Sequence, residues 1–544
     1  MIRPFIQSNL RMLGLMLVTC TFSALPVLGT HSGQNTATRE FQKTLTLGDN
    51  QTVSIDHKFG EVRIHGESGR EVKISATIRA QARSQDAADR FAQGVRIEVS
   101  QDSQGIKIRT VYPEETSGFI TIRIHEPSYS VDYDIAVPVG AKLWVKNNFG
   151  NVQLQGVHGW TDVENSNGQV TFRDGGSTKL TNSFGSVEAN GSDGNVSVFN
   201  SNGSVTVSMV KGTLDVKDRF ASISASNIQG AVTISGGNGP VELSDAGAST
   251  VSNSFGSVTA RNIRGELIVN NSNGSIHVQT VSGGAKLNGS FGSIEFANVG
   301  GYVKCTSSNG RVKGGPAGSD VYVKTTFGEV SLEQIGGAVE VENSNGGILV
   351  RDIKGHGTFN TSFGSIEASG LPKGVKATTG NGRILLNDIT GDSFAKTSFG
   401  AVNIQRVNGN LTVENTNGPV TVNSVKGDAA AKTSFGAVSL DDVAGTITVD
   451  NQNGAVVLSA ARTSPGCKNV SAKTSFSPIK VRLPENAGYD ITARTSFGHI
   501  TSELPITTSG QIGGDSFNGK IGSGGCTLSL TNSNGNIEIV KLAK

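Results

Sequence analysis

The chain has 544 residues, of which 17% are charged and 6% aromatic, and its formal net charge is +2. This near-neutral balance argues against a nucleic-acid binder, which would show a basic stripe with interleaved aromatic residues, and against a polybasic membrane patch. The 71 glycines, together with the lack of an apolar stripe at helical spacing, exclude a largely helical protein.

Residues 1–29 have the pattern of a secretory signal peptide. Arg3 and Arg11 precede an almost uncharged run over residues 13–28. This run continues beyond Cys20, which favours a plain signal peptide over a lipoprotein signal, although lipidation of this cysteine stays open. No second stretch reaches the ~20 apolar residues of a membrane-spanning helix. We therefore expect an exported protein (periplasmic, cell-surface or extracellular) with no transmembrane segment in the mature chain.

Residues 30–38 form a polar linker, and residues 39–140 are predicted to be an irregular N-terminal β cap. Residues 84–92 are the one predicted helix, with Ser84 as its N-cap. We expect the cap to cover the first edge of the following sheet, which protects that edge from end-to-end aggregation. Apolar alternation predicts cap strands around residues 45–47, 53–55, 62–64, 72–78, 95–99, 106–111, 120–125 and 131–137.

A repeat with two alternating kinds of corner begins at Phe149. Corners follow one another every 17 or 18 residues, and this fixed short period indicates stacked supersecondary units. One kind carries Phe, at residues Phe149, Phe184, Phe220, Phe255, Phe291, Phe327, Phe363, Phe399 and Phe435. The other kind carries Asn, at residues Asn167, Asn202, Asn238, Asn273, Asn309, Asn345, Asn381, Asn417 and Asn453. Phe497, Asn518 and Asn534 are predicted to continue the corners.

Each unit contains two short strands. Val402 and Ile404 alternate with polar residues, a second such pair follows nine residues later, and glycines mark the turns between them. Two short strands cannot bury a face alone, so each turn must pack on the next. We therefore predict an all-β fold, an elongated β-solenoid (β-helix) with 17–18-residue turns. Regular turns occupy residues 141–454, and turns with longer loops continue over 455–544, giving a rod of roughly 100 Å at ~4.8 Å per turn.

Strand parity predicts which side chains point inward. It places Asn415 and Asn417 inside in one turn, and Thr433 and Phe435 inside in the next. One interior column should then alternate Phe and Asn, beside a column of Thr or Asn whose amides bond along the stack. The alternative is an exposed aromatic strip that binds carbohydrate; the packed corner is favoured because parity hides the rings. An outward column of opposite charges should help to fix register, at Lys324, Glu342, Lys396, Glu414, Lys432 and Asp450.

Two stretches resemble a bacterial "putative adhesin" domain-of-unknown-function family. Residues 137–145 lead into Asn148-Phe149-Gly150, and residues 483–491 lead into Thr495-Ser496-Phe497-Gly498. The resemblance extends over about residues 40–540. It implies a β-helical envelope protein of undetermined biochemical role, and it brings no functional residues that could be transferred to this chain.

The cysteines offer little chemistry. Cys305 falls at an inward position and is expected to be a small core residue. Cys467 and Cys526 lie about three rungs apart, ~14 Å along the axis, which is beyond disulfide reach unless the long loops fold back. Whether these two cysteines pair stays open.

No catalytic, cofactor-binding or metal site is predicted. Asp441 and Asp442 form an adjacent acidic pair, but a glycoside hydrolase needs two carboxylates that converge across a cleft. A solvated loop is the favoured interpretation of this pair. The eight histidines are scattered and fit surface residues better than a metal site, at His31, His57, His65, His125, His158, His277, His356 and His499.

These observations favour a non-enzymatic, exported structural or adhesin-like β-solenoid, monomeric, whose partner is a surface protein or polysaccharide. The alternative is a carbohydrate-binding or carbohydrate-active β-helix with its site near residues 455–515, where longer loops could wall a groove. A self-assembling filament is a third hypothesis, and the distinct N-terminal cap counts against it. Solenoid handedness, the mode of surface attachment and the identity of the ligand are left open by the sequence.

Overall fold

A computed structural model describes residues 35–113, 128–461, 466–508 and 515–542. The predicted signal peptide with Cys20, residues 30–34 of the predicted linker, and the strand predicted over residues 120–125 lie outside the described residues. Within them the predicted fold is confirmed, because the chain forms stacked coils of two parallel sheets and makes about 18 turns.

The N-terminal part contains short strands and the predicted helix. Its elements are β1 (Asn35–Thr46), β2 (Thr52–Asp56), β3 (Val62–Glu67), β4 (Glu71–Ala82), α1 (Gln85–Gly94), β5 (Arg96–Asp102), β6 (Gly105–Val111) and β7 (Ser128–Pro138). Ser84 is confirmed as the N-cap of α1, since its Oγ accepts a hydrogen bond from the backbone N–H of Ala87.

The regular coils place their even-numbered strands in one sheet, which we call the even sheet. These strands are β8 (Lys142–Phe149), β10 (Thr161–Asn167), β12 (Thr178–Phe184), β14 (Val196–Asn202), β16 (Leu214–Asp218), β18 (Val232–Gly236), β20 (Ser249–Phe255), β22 (Leu267–Asn273), β24 (Ala285–Phe291), β26 (Val303–Ser307), β28 (Val321–Thr325), β30 (Val339–Asn343), β32 (Gly357–Thr361), β34 (Val375–Thr379), β36 (Ser393–Thr397), β38 (Leu411–Asn415), β40 (Ala429–Thr433) and β42 (Ile447–Asn451).

The odd-numbered strands of the same coils form the odd sheet. They are β9 (Val152–Gln155), β11 (Val170–Gly175), β13 (Val187–Ser192), β15 (Val205–Val210), β17 (Ile223–Ile228), β19 (Val241–Ala246), β21 (Val258–Ile263), β23 (Ile276–Val281), β25 (Ile294–Val299), β27 (Val312–Gly314), β29 (Val330–Ile335), β31 (Ile348–Ile353), β33 (Ile366–Leu371), β35 (Ile384–Thr390), β37 (Val402–Asn408), β39 (Val420–Val425), β41 (Val438–Val443) and β43 (Val456–Ala460).

The C-terminal part continues both sheets. Its strands are β44 (Val470–Lys473), β45 (Ile479–Leu483), β46 (Tyr489–Arg494), β47 (Ile500–Ser502), β48 (Ile506–Thr508), β49 (Ser516–Ile521), β50 (Cys526–Thr531) and β51 (Ile537–Lys541).

The core lies between the two sheets and consists of inward-facing Val, Ile, Leu and Ala. Val402, Ile404, Leu411 and Val413 are all buried, as strand parity predicts. Val407, at the end of the same odd strand, is buried as well, so each coil contributes about five aliphatic side chains to one continuous core, and no coil has a core of its own. Stability consequently depends on contact between neighbouring coils.

Buried Asn, Thr or Ser residues follow the aliphatic residues of most even strands. The Nδ2 group of Asn415 donates to the carbonyl oxygens of Gly400, in the preceding coil, at 2.9 Å and Gly418, in its own corner, at 2.8 Å. Burial of this column is as predicted, but the partners differ. Most of these amides bond to corner carbonyls, because the turning backbone leaves carbonyls there that need donors.

The corner glycines stack closely. A Cβ added to Gly436 would lie 1.8 Å from the carbonyl oxygen of Gly418 in the coil below. A side chain at this position would therefore separate the two coils.

The predicted cap, residues 39–140, contains one complete coil of the solenoid. Strand β2 pairs in parallel with β8, and β3 pairs in parallel with β9. The remaining strands cover the free edges of this first coil. In the odd sheet, the order of strands outward from β3 is β7, β4 and then β1. In the even sheet, the order outward from β2 is β6 and then β5. Helix α1 packs against β1 and β4. Antiparallel pairing at both edges ends the stack, as a solenoid cap requires.

A buried polar network anchors this first coil. His57 is 2% exposed, and its Nδ1 lies 3.0 Å from the Oγ1 of Thr110, which lies 2.7 Å from the hydroxyl of Tyr133. The rings of His57 and Tyr133 meet edge to face at 5.0 Å. Burial lowers the pKa of His57 from 6.5 to about 4, and neighbouring backbone groups and Asp132 oppose the shift only in part.

The last coil of the chain is inserted between two earlier ones. Strand β50 pairs with both β44 and β46, and β51 pairs with both β45 and β47. Beyond β46, strand β49 pairs antiparallel with β46, and β48 pairs antiparallel with β49. These two strands cover the edge of the even sheet. The prediction that Asn518 is a corner is therefore wrong, because Asn518 lies within β49 and pairs with Thr492.

This insertion brings two distant cysteines together. Cys467 and Cys526 form a disulfide with a Cα–Cα distance of 5.8 Å. The predicted separation of three rungs is wrong, because the chain order of the C-terminal coils is not their spatial order. Cys305 is a buried free thiol in the core, as expected, and burial raises its pKa.

Candidate functional site

A column of exposed phenylalanines runs along one corner of the solenoid. These side chains are 46% to 84% exposed, and we call the column the Phe ladder: Phe149, Phe184, Phe220, Phe255, Phe291, Phe327, Phe363, Phe399, Phe435, Phe476 and Phe497. The prediction that these rings pack inside is wrong. Exposed aromatic side chains repeated along one line form a surface available for contact with a partner.

The error in the prediction has a structural cause. Parity holds as far as Thr433, which is 3% exposed, but the chain then leaves the strand and turns at Gly436. Phe435 lies on this turn and is 60% exposed. Asn417 is also exposed, at the same place in the preceding coil. Inward and outward positions alternate only while the backbone stays extended, so the count fails at the corner.

Phe and Asn alternate along this corner from coil to coil. Asn167 pairs in register with Phe149 on one side and with Phe184 on the other. Successive ladder rings are therefore two rungs apart, about 9.6 Å in a parallel sheet. The Asn between two rings turns toward the backbone, as Asn345 does when its Nδ2 donates to the carbonyl oxygen of Thr326 at 3.2 Å. A gap lined by polar groups thus separates each ring from the next.

The N-terminal end of the ladder is closed by an aromatic cluster. Phe59 stacks on Phe149 with ring centroids 5.3 Å apart, and its ring also meets Tyr112 and Tyr129 edge to face. Sequence reasoning missed Phe59 as the first corner. The signal was present, because Phe59-Gly60-Glu61-Val62 has the same residues as the corner that begins at Phe327.

The C-terminal end keeps the alternation because of the inserted coil. The backbone N–H of Asn534 donates to the carbonyl oxygen of Ser475, and the N–H of Phe497 donates to that of Ser533. Asn534 therefore lies between Phe476 and Phe497 in space, although it follows both in sequence. The pattern of ring, amide and ring is preserved to the end of the rod.

The surface beside the ladder is largely uncharged. A serine or threonine precedes the Phe at nine of the eleven ladder positions; Asn148 and Arg219 are the departures. The charged residues of the even sheet lie further from the corner. Two pairs of the predicted column of opposite charges are found there, with Lys324 2.9 Å from Glu342 and Lys396 2.8 Å from Glu414. Lys432 and Asp450 lie in register on neighbouring strands. On the side of the even sheet, the ladder is thus bordered mainly by hydroxyl groups.

The other residues considered from the sequence do not converge. Asp441 and Asp442 lie on β41, and Asp442 adopts a left-handed backbone conformation with φ 57°. In the described part of the chain, no group of three or more His, Cys, Asp and Glu side chains is placed to hold a metal ion. Within the same ranges, no helix is long and apolar enough to cross a membrane.

The region proposed from its longer loops spans residues 455–515, and its described part is 455–461, 466–508 and residue 515. Its described residues contribute to a cavity of about 20 Å³ beside Cys467 and Tyr489. Such a cavity holds about one water molecule. A sugar ring does not fit there.

Residues 371–540 match the family model of Toastrack DUF4097. This match confirms, for that part of the chain, the resemblance to a β-helical domain-of-unknown-function family. A solved structure of a "putative cell adhesion protein" from Clostridium sporogenes is similar at 9% identity and a TM-score of 0.16, covering 40% of this chain and 82% of that one. No curated protein matches the chain.

Proposed function

We propose that the protein is a non-enzymatic, exported, adhesin-like β-solenoid that acts as a rigid rod at the cell envelope and attaches to its partner through the Phe ladder. The exposed ladder is the observation that carries this proposal. Isolated exposed apolar residues are ordinary on protein surfaces. The ladder differs because one residue type is exposed at every second rung, on a frame that holds the spacing constant.

The energetics support an interaction role. Burying a Phe side chain contributes about 1.5–3 kcal/mol relative to leaving it in water. Because the eleven rings stay exposed, much of this free energy is not gained when the chain folds. A partner that covers several rings at once gains this energy, and repeated weak contacts along a rod add by avidity.

Two further features support export. Residues 1–29 have the composition of a secretory signal peptide. The Cys467–Cys526 disulfide is typical of an oxidising compartment. Uniform coils, without convergent carboxylates or a metal-ligating cluster in the described ranges, support a binding role over catalysis.

The test compares a ladder variant with a matched variant elsewhere. The full chain is produced in a bacterial host, and its position is measured by cell fractionation and by surface protease digestion. Retention of the purified rod on isolated cell walls is then compared for Phe363→Ser/Phe399→Ser and Trp160→Ser/Met209→Ser. The first pair is 62% and 64% exposed on the ladder, and the second pair is 49% and 54% exposed near the opposite corner.

We expect the ladder variant to lose at least tenfold in retention, because aromatic anchors each contribute about 2 kcal/mol or more at interfaces. The control variant should bind like the parent. Cytoplasmic retention of the full chain, or equal losses in the two variants, would overturn the proposal.

A further inference from the structure

The even sheet carries a groove of about 600 Å³ on its outer face, immediately beside the middle of the Phe ladder. All of its lining residues are Ser, Thr, Asn or Gly, so the groove has no charged group in its wall. It extends along the rod axis, from Ser235 on β18 to Thr306 on β26 and the adjoining corner residue Ser308.

The groove exists because five successive coils carry short side chains in one outward column. The column runs in register through Ser235, Ser252, Asn270, Asn288 and Thr306. Long side chains bound it at both ends, since Lys217 pairs with Ser235 and Lys324 pairs with Thr306. At ~4.8 Å per rung the five positions span about 19 Å, which suits an extended oligomer lying along the axis.

The floor of the groove is ordered before any ligand arrives. The Nδ2 group of Asn288 donates a hydrogen bond to the Oδ1 of Asn270, in the neighbouring coil, at 2.9 Å. A second column of hydroxyl groups, including Ser254 and Ser290, runs beside this one. Because the sheet fixes both columns, little entropy is lost when they bind a partner.

The lining chemistry selects the class of ligand. Nucleic acids and acidic glycans need Lys or Arg in the wall, and this wall has none. An apolar helix needs an apolar groove. Hydroxyl and amide groups match the hydroxyl groups of a neutral sugar, and the exposed rings of Phe255 and Phe291, one residue beyond Ser254 and Ser290, offer faces on which sugar rings stack.

We propose that an uncharged glycan chain binds in this groove, parallel to the rod axis, between the Ser/Asn columns and the Phe ladder. The spacing supports this arrangement, because alternate units of an extended β-linked pyranose chain repeat over a length close to the two-rung distance of about 9.6 Å. Every second sugar then meets a Phe, and the intervening sugar meets an Asn corner. This inference rests on the proposed function and names the partner class of the same ladder.

The test uses a β-1,4-linked glucose hexasaccharide as the neutral probe and the corresponding glucuronate hexasaccharide as the charged probe. Binding to the full rod is measured by titration calorimetry. Asn270→Lys fills the groove with a residue that the same column accepts at Lys217. Asn360→Lys is the matched control, because Asn360 lies in the same column, next to Glu342 and outside the groove.

We expect the neutral hexasaccharide to bind, with affinity reduced at least tenfold by Asn270→Lys and unchanged by Asn360→Lys, and the charged hexasaccharide to bind at least tenfold more weakly. Binding that both variants weaken equally, or that neither weakens, would refute the groove as the site. A rod that adheres to cell walls through its ladder but binds no neutral glycan would refute this inference alone. Concentration-dependent self-association through the ladder would refute it too, with a second copy as the partner.

Discussion

The buried His57 makes the N-terminal coil sensitive to acid. Its folded-state pKa is about 4, against 6.5 for the free side chain. Between these two values the unfolded segment binds a proton that the folded segment excludes, so stability falls as the pH falls. Above pH 6.5 both states are neutral at this residue, and His57 then contributes no pH dependence.

The size of the effect follows from the two pKa values. A tenfold difference in proton affinity corresponds to about 1.4 kcal/mol. Acidification to pH 4 should therefore lower the free energy of unfolding of the first coil by about 3 kcal/mol. At pH 5 the same linkage amounts to about 2 kcal/mol, which is about thirtyfold in the opening equilibrium of the first coil. Replacement of His57 by Gln should remove this loss.

A local assay is required, because long repeat arrays do not unfold as one unit. Hydrogen exchange of the β2 and β7 amides, corrected for intrinsic rates, is measured at pH 7 and pH 5 for the parent, His57→Gln and the exposed control His356→Gln. The parent and the control should lose protection on acidification, and His57→Gln should lose much less. Equal protection of the parent at both pH values, or the same loss in His57→Gln, would refute the reasoning.

Three further predictions concern the joints of the solenoid. Reduction of the Cys467–Cys526 disulfide, or its replacement by two serines, should destabilise the C-terminal coils by about 4 kcal/mol for a separation of 59 residues; urea melts with and without reductant that coincide would contradict it. Asn415→Ala should lower the free energy of unfolding by about 1–3 kcal/mol, because two corner carbonyls lose their donor. Asn415→Thr should lower it less, because Thr is the residue at this position in the neighbouring coils. Equal losses for the two variants in denaturant melts would argue against a stabilising role for these hydrogen bonds. Gly436→Ala should lower the thermal midpoint markedly, because its Cβ would lie 1.8 Å from a backbone carbonyl oxygen. Gly140→Ala is the control and should keep the parent midpoint, because its Cβ would meet nothing within 4 Å. A parent-like midpoint for Gly436→Ala would contradict this prediction.

The repeat and its strands could be predicted because they depend on local alternation. Val402 and Ile404 face the core because they alternate with polar residues, and the equivalent residues of the other coils do so for the same reason. Glycines mark the turns between the strands. Alternation carries no information once the strand ends. The exposure of Phe435 and Asn417 therefore could not be obtained by extending the count, and it depends on the corner geometry that only the folded coil has.

The C-terminal pairing was also beyond local reasoning, although one indication was available. Phe476 and Phe497 are two Phe corners in succession, with no Asn corner between them in sequence. The alternation that begins at Phe149 requires an amide between these rings, and Asn534 supplies it. The partner of Cys467 follows from the same rule, because the coil that carries Asn534 also carries Cys526.

The inserted coil also determines the order in which the rod can be completed. During synthesis, residues 489–502 are made before residues 526–541, yet their parallel neighbours are β50 and β51 and not the preceding coil. If β46 and β47 paired directly with β44 and β45, strands β50 and β51 could not be inserted between them. Residues 489–502 therefore cannot reach their final pairing until residues 526–541 have been made. Strands β50 and β51, which follow β46 and β47 in the chain, are thus the strands that join those two to the rest of the rod.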